Sequence, residues 1–166
     1  MSDWVGAHEV ENSMAESTEP QKPKKKGRAA FMSFLVIVLL AAITMYMNFK
    51  TVVISGESMH PTLKDKQKLL VTSAYWLVGP VRKEDIVVVK DNNPSGFMIK
   101  RVYRMEGEDV EPENSPLSHN LSSGPFRVPA GHIYVLGDNR GYSDDSRKIG
   151  PIPVEKILGK VLVNRF

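Results

Sequence analysis

A serine and a lysine, far apart along the chain, are the residues best suited to covalent chemistry. Ser58 lies in Ile54-Ser55-Gly56-Glu57-Ser58-Met59-His60-Pro61-Thr62-Leu63, where Gly and Pro mark a tight turn that would present its hydroxyl. Such a hydroxyl is a weak nucleophile until a base removes its proton, and the candidate bases are His and Lys. Of the four histidines, His8 falls in an N-terminal tail, His119 in a Pro/Ser-rich loop and His132 at a strand entry. His60 is too close along the chain for its ring to fold back onto Ser58, so a Ser-His-Asp arrangement is disfavoured. Cysteine is absent, which excludes disulfides, thiolate metal sites and a cysteine nucleophile.

Lys100 is the better base. It lies in the strand-like run Phe97-Met98-Ile99-Lys100-Arg101-Val102-Tyr103, where alternation can turn its side chain inward. Burial disfavours an ammonium, and lowering a lysine pKa from about 10.4 to about 8 needs roughly 3 kcal/mol, which desolvation can supply. Solvated strand residues are the plainer reading of Lys100 and Arg101. A third stretch weighs against it: Gly137-Asp138-Asn139-Arg140-Gly141-Tyr142-Ser143-Asp144-Asp145-Ser146-Arg147-Lys148-Ile149-Gly150. A calcium loop fails here on spacing, because Arg140 stands where an oxygen ligand is required and the glycine comes too early. Carboxylates, arginines and hydroxyls mixed in one loop suit a charge-paired scaffold that fixes a nearby amine.

The elements that must position these residues can be read outward from them. Residues 1–21 are small, polar and acidic, with no apolar periodicity, and predict a disordered tail. Lys22-Pro23-Lys24-Lys25-Lys26-Gly27-Arg28 is a basic cluster, followed by residues 29–49 without a single charge. At about 1.5 Å per residue, that run makes a helix of roughly 30 Å, enough to cross a bilayer. A cleavable secretory leader is the rival, but the run exceeds a typical leader core and no small-x-small site follows it. The positive-inside rule places residues 1–28 in the cytoplasm and residues 50–166 beyond the membrane. The net charge of +3 is therefore a membrane feature; the basic residues do not interleave with aromatics, and no nucleic-acid partner is expected.

Beyond residue 50, short β-like runs predict strands at 51–55, 68–72, 86–90, 97–105, 126–128, 133–136 and 157–164. No amphipathic helix of ordinary length is expected, so the fold class is mostly β: one transmembrane helix, then a compact sandwich- or barrel-like domain. Residues 111–129, rich in Pro, Ser, Asn and Gly, predict a long loop or reduced subdomain. Residues 74–81 are apolar and aromatic where a turn is expected. They are either a core strand or an apolar surface meeting the bilayer interface, where Trp and Tyr concentrate.

Three boxes together resemble the bacterial type I signal peptidases, membrane-anchored serine proteases with a Ser/Lys dyad. They are Ser55-Gly56-x-Ser58-Met59-x-Pro61-Thr62-Leu63, Lys100-Arg101-Val102, and Gly137-Asp138-Asn139-Arg140-x-x-Ser143-x-Asp145-Ser146-Arg147-x-x-Gly150. Gly150-Pro151-Ile152-Pro153 and Gly159-Lys160 extend the similarity over nearly everything from the apolar run onward. The resemblance implies a fold of the signal peptidase type, Ser58 as acyl-forming nucleophile and Lys100 as general base. It also implies that Ser143 hydrogen-bonds and orients the lysine amine, with Asp145 and Arg147 as a supporting ion pair. The oxyanion site would use the Ser58 backbone N–H; the second donor, a hydroxyl in some members, falls at Gly56, which has none. Tyr103-Arg104-Met105-Glu106-Gly107-Glu108-Asp109 departs from the small turn usual after the lysine box, and Gly141-Tyr142 replaces a polar pair.

On this resemblance the chain is expected to remove N-terminal signal peptides from translocated preproteins, without metal or cofactor. Its partners would be preprotein signal peptides, the lipid bilayer of the plasma membrane and the secretion translocon. Substrates would carry small side chains at the −1 and −3 positions and bind as an added strand. The alternatives are a Ser/Lys self-cleaving repressor-like protease, disfavoured by the apolar segment and the lack of a helix-turn-helix, and a catalytically idle membrane-anchored β-domain that binds partners.

Overall fold

The computed structural model describes residues 26–91 and 96–162. The tail, most of the basic cluster and the last two residues of the final expected strand lie outside them. The chain forms two units, Met1–Leu40 and Ala41–Phe166. Helix α1, Lys26–Asn48, runs from the first into the second. From Gly27 to Asn48 it is long and apolar enough to cross a membrane, and none of that span is buried. Large apolar side chains from Phe31 to Met47 are exposed, an unfavourable surface in water and a suitable one in hydrocarbon.

The second unit is mostly β. Strand β1 (Phe49–Val53) follows the helix directly, two residues earlier than expected, because the register Phe49↔Thr72 zips it to β2 (Lys68–Thr72) from its first residue. Then come β3 (Ile86–Lys90), β4 (Phe97–Arg104), β5 (Asp109–Val110), β6 (Phe126–Arg127), β7 (His132–Leu136), β8 (Ile152–Pro153) and β9 (Ile157–Leu162). Seven form an antiparallel sheet in the order β1-β2-β9-β3-β4-β7-β8; β5 and β6 pair separately. The two-residue strands β5 and β8 are too short for a periodic signal. Residues 111–129 fold as two 3₁₀ turns, at Pro112–Asn114 and Leu121–Ser123, leading into β6. Beside them Val110, Val128, Tyr134 and Leu136 form an apolar cluster.

Burial explains the strand compositions. Ile86 and Val88 of β3 pack with Ile54, Met59, Leu63, Leu69, Val71 and Ile99, whereas Val87 and Val89 pack with Val102, Ile133, Val135 and Ile152. A strand covered on both faces reads as a continuous apolar run, which is what Ile86–Lys90 shows. Residues 74–81 do not form a strand: Tyr75–Val78 is a single helical turn, α2, ended by Gly79 at φ 79°. Only Ala74 is buried there, while Trp76 and Leu77 are exposed. The core-strand reading is thereby overturned, since an apolar run this short cannot be told from a helical turn by periodicity.

Gly159 of β9 lies where β9 and β2 approach closely. A Cβ there would stand 2.7 Å from Val71 Cγ1 and 2.9 Å from the Thr72 carbonyl oxygen. Gly159→Ala is expected to destabilise the domain by about 1–3 kcal/mol through overpacking, read as a lower urea midpoint at unchanged slope.

Candidate active site

The serine turn is pegged to the core on both sides of its exposed tip. Ile54, Met59 and Leu63 are each at most 4% exposed, and the backbone closes through His60 N–H to Glu57 O (3.0 Å) and Leu63 N–H to Met59 O (2.9 Å). Gly56 sits at φ 98°, a left-handed conformation that suits glycine, and its N–H donates to Asp65 Oδ1 at 2.8 Å. That amide is thus committed and cannot serve as the second oxyanion donor. By contrast, the Glu57 and Ser58 N–H groups have no acceptor among the described residues.

The loop after β7 clamps this turn. Asn139 N–H donates to Ser58 O (2.9 Å) and Asn139 Nδ2 to Glu57 O (3.1 Å). Asp138 accepts a two-pronged bond from Arg101, Nε to Oδ1 at 2.8 Å and Nη2 to Oδ2 at 2.7 Å; Arg101 Nη1 also donates to Glu84 O. Burial pushes the Asp138 carboxyl up, but the Arg101 bonds, the Thr62 hydroxyl and nearby arginine charge outweigh it and hold the group below its usual value. Gly137, Asp138, Asn139 and Arg101 stand in the boxes quoted from the sequence, but residue type alone assigns them no role there. Their partners are distant along the chain, and only the motif context of the two boxes hinted at them.

Lys100, on the edge-to-edge seam of β3 and β4 opposite Val87, shares the strand parity of Met98 and Val102, which pack in the apolar cluster around Val87. It is 4% exposed, and its Nζ is hydrogen-bonded to Ser58 Oγ at 3.0 Å. Desolvation lowers its pKa; the negative charges of Asp145, Asp144 and Asp91 pull the other way, and the net shift is downward. None of the described histidines hydrogen-bonds Ser58: His119 Nε2 pairs with Gly124 O and His132 Nδ1 with Ala130 O. The described residues contain no cluster able to hold a metal ion.

Asp145, fully buried, caps the short helix α3 (Ser146–Ile149). It accepts from Gly137 N–H (3.0 Å) and from Arg147 Nε and Nη2 (2.9 Å each). Burial raises its pKa, yet the Arg147 bonds, the Gly137 amide, Ser143 and the Arg147 charge prevail and keep it ionised. Ser143 is 3% exposed. Its hydroxyl contributes to the low Asp145 pKa, but makes no well-formed hydrogen bond among the described residues, so the expected bond from Ser143 to the Lys100 amine is not formed. Ser143 is pressed against Gly137, where a Cβ would lie 2.1 Å from Ser143 Oγ and 2.6 Å from Ser58 O.

Ser58 and Lys100 open into a cleft of about 290 Å³. One wall is residues 54–59, the other residues 97–100, with Tyr142 and Asp144 at the rim. β4 pairs with β3 from Phe97 to Arg101, whereas β7 pairs with it only from Arg101 onward. The other edge of Met98–Lys100 therefore has no strand partner among the described residues.

Comparison with known proteins matches residues 28–122 and 117–165 to the family described as signal peptidase, peptidase S26. A signal peptidase I of Bacillus caldolyticus is 30% identical over 84% of this chain and 91% of its own length. One from Bacillus amyloliquefaciens is 30% identical over 86% and 91%, and signal peptidase IB of Staphylococcus aureus is 30% identical over 78% and 86%.

Gly137→Ala is expected to push Ser143 and the Ser58 carbonyl apart. A displacement of this size costs about 10²-fold in kcat/KM where a catalytic geometry depends on it. Circular dichroism and thermal unfolding will separate this from global loss of fold.

Proposed function

We propose, from the premise that this chain belongs to the signal peptidase family S26, that it cleaves signal peptides from preproteins with Ser58 as nucleophile and Lys100 as general base. The observation that carries this reading is the 3.0 Å Ser58–Lys100 hydrogen bond to an amine buried among apolar side chains. Burial supports a neutral amine at the working pH. Lys100 Nζ takes the Ser58 proton as Oγ attacks the scissile carbonyl. The ammonium then protonates the departing amine, leaving an acyl ester on Ser58. Water, deprotonated by the same amine, attacks the ester and releases Ser58 and a free carboxylate.

The tetrahedral oxyanion falls to the Ser58 N–H, with the neighbouring Glu57 N–H as second backbone donor in place of a hydroxyl at Gly56. Ser143, Asp145 and Arg147 are positioning residues: the Asp145–Arg147 pair anchors the loop through Gly137 N–H, and the buried Ser143 hydroxyl fills the space beside it. The unpaired edge of Met98–Lys100 fits an extended substrate segment added as a strand, with residues 54–58 on its other side. Helix α1 is the membrane anchor of this reading, with residues 1–28 cytoplasmic and the β unit outside.

Purified full-length protein in vesicles is expected to process a reporter preprotein. Ser58→Ala and Lys100→Ala should each lower kcat/KM by about 10³-fold or more; parent-like cleavage by both would overturn the dyad. The pH dependence has a definite sign. The amine must be neutral, so kcat/KM rises with pH and its inflection lies below 10.5, the ordinary lysine value. Asp144 is an exposed carboxylate whose charge favours the ammonium. Asp144→Asn removes that influence and is expected to move the inflection to still lower pH.

A further inference from the structure

Burial alternates along the loop that carries Ser143: Tyr142 is exposed, Ser143 buried, Asp144 exposed and Asp145 buried. The backbone is extended at Ser143 (φ −118°, ψ 123°) and at Asp145 (φ −141°, ψ −167°), so successive side chains turn to opposite sides. Tyr142 and Asp144 therefore project together, away from the core, and both line the cleft that holds Ser58 and Lys100. Tyr142 is 77% exposed. The Asp144 side chain is 79% exposed and pairs with Lys148, itself exposed and four residues on, a surface contact of a kind that contributes little. Asp144 is near enough to the reacting groups for its charge to act on the Lys100 amine. An aromatic face and a carboxylate side by side attract a flexible cation. The other charged residues lining the cleft are Glu57, Asp91 and the buried Lys100, so its exposed charge among the described residues is negative.

The sheet sets where this pair stands along the cleft. The open edge of β4 ends at Lys100, because β7 pairs with it from Arg101. A peptide lying along Met98–Lys100 must leave β4 there, beside Ser58 and the loop whose Asn139 N–H is bonded to the Ser58 carbonyl. We propose that Tyr142 and Asp144 form a subsite for a lysine or arginine side chain of the substrate, carried within the first three residues after the cut. The ring of Tyr142 covers the cation and the Asp144 carboxylate pairs with it. This rests on the reading of Ser58 and Lys100 as the cleaving dyad, with the segment before the cut as the added strand. The subsite selects on charge after the cut, independently of the small side chains expected at −1 and −3.

The test uses full-length protein in detergent and short soluble peptides spanning the cut, identical except for Lys, Gln or Glu at the first, second or third residue after it. At one of these positions kcat/KM is expected to fall in the order Lys, Gln, Glu. Lys should exceed Gln by about three- to tenfold, the range of an exposed cation–π contact joined to a surface ion pair, and the difference should shrink in about 1 M salt. Each variant is read as the ratio of its rates on two peptides, so a general loss of activity cancels. Tyr142→Leu and Asp144→Asn are each expected to bring the Lys/Gln ratio toward one, and Asp144→Lys to reverse the order in favour of Glu. If the parent cleaves the three peptides equally, or favours Glu, while Ser58→Ala is inactive, the subsite is overturned and the dyad stands. A Lys preference that persists unchanged in Tyr142→Leu and Asp144→Asn belongs to other residues and also overturns the proposal. Parent-like cleavage by Ser58→Ala overturns the dyad, and the subsite with it.

Discussion

An ammonium ion surrounded by apolar side chains is unstable unless it finds an anion or gives up its proton, and the β unit is arranged around that constraint at Lys100. The strand that carries it is buried on both faces near this point, with Ile99 in one apolar cluster and Met98 and Val102 in the other. The Lys100 Nζ is hydrogen-bonded to Ser58 Oγ. Three acidic residues oppose deprotonation, and the one with the largest influence, Asp145, is itself paired by a two-pronged bond from Arg147. That ion pair therefore does two things at once: it anchors the Gly137 amide, and it weakens the pull of a buried negative charge on the lysine proton.

The loop from Gly137 to Gly150 is the clamp between the two halves of the site. One face of its start holds the serine turn, through Asn139 on the carbonyls of Glu57 and Ser58. The next residue back, Asp138, is locked to Arg101, the immediate neighbour of Lys100. Residues from three distant parts of the sequence thus meet within a few bonds, and the precision of the Ser58–Lys100 contact depends on charged hydrogen bonds that are worth more when partly shielded from water. Residues 112–117 brace the outer side: Leu117 N–H donates to Arg147 O at 2.8 Å, and Arg140 Nη1 to Asn114 Oδ1 at 3.1 Å.

Much of this could be read in the sequence because it rests on local pattern. The uncharged run after Arg28, the apolar β3 and the turn residues around Ser58 each carry their own signal. Lys100 stood out because an amine in an apolar strand is chemically anomalous. What could not be read depends on partners far along the chain. Arg101 looks like any solvated strand arginine until Asp138 is brought beside it. Gly137 looks like an ordinary turn glycine until Ser143 and the Ser58 carbonyl close on it. The Ser143 hydroxyl lacks a hydrogen bond to the lysine amine among the described residues, and a contact missed by a small displacement leaves no trace in residue spacing. α2 was ambiguous for a different reason, since four apolar residues are compatible with a strand or a helical turn.

β1 also functions as a measure of length. It starts at the residue after α1 ends and delivers the chain to Ile54, where the serine turn begins. Its five residues, at about 3.4 Å each, span roughly 17 Å. On the proposed reading that length acquires a use: a peptide whose own apolar segment ended beside Asn48 would run a similar distance in extended form before a bond came level with Ser58, and the strand would then act as a spacer that selects a bond by distance.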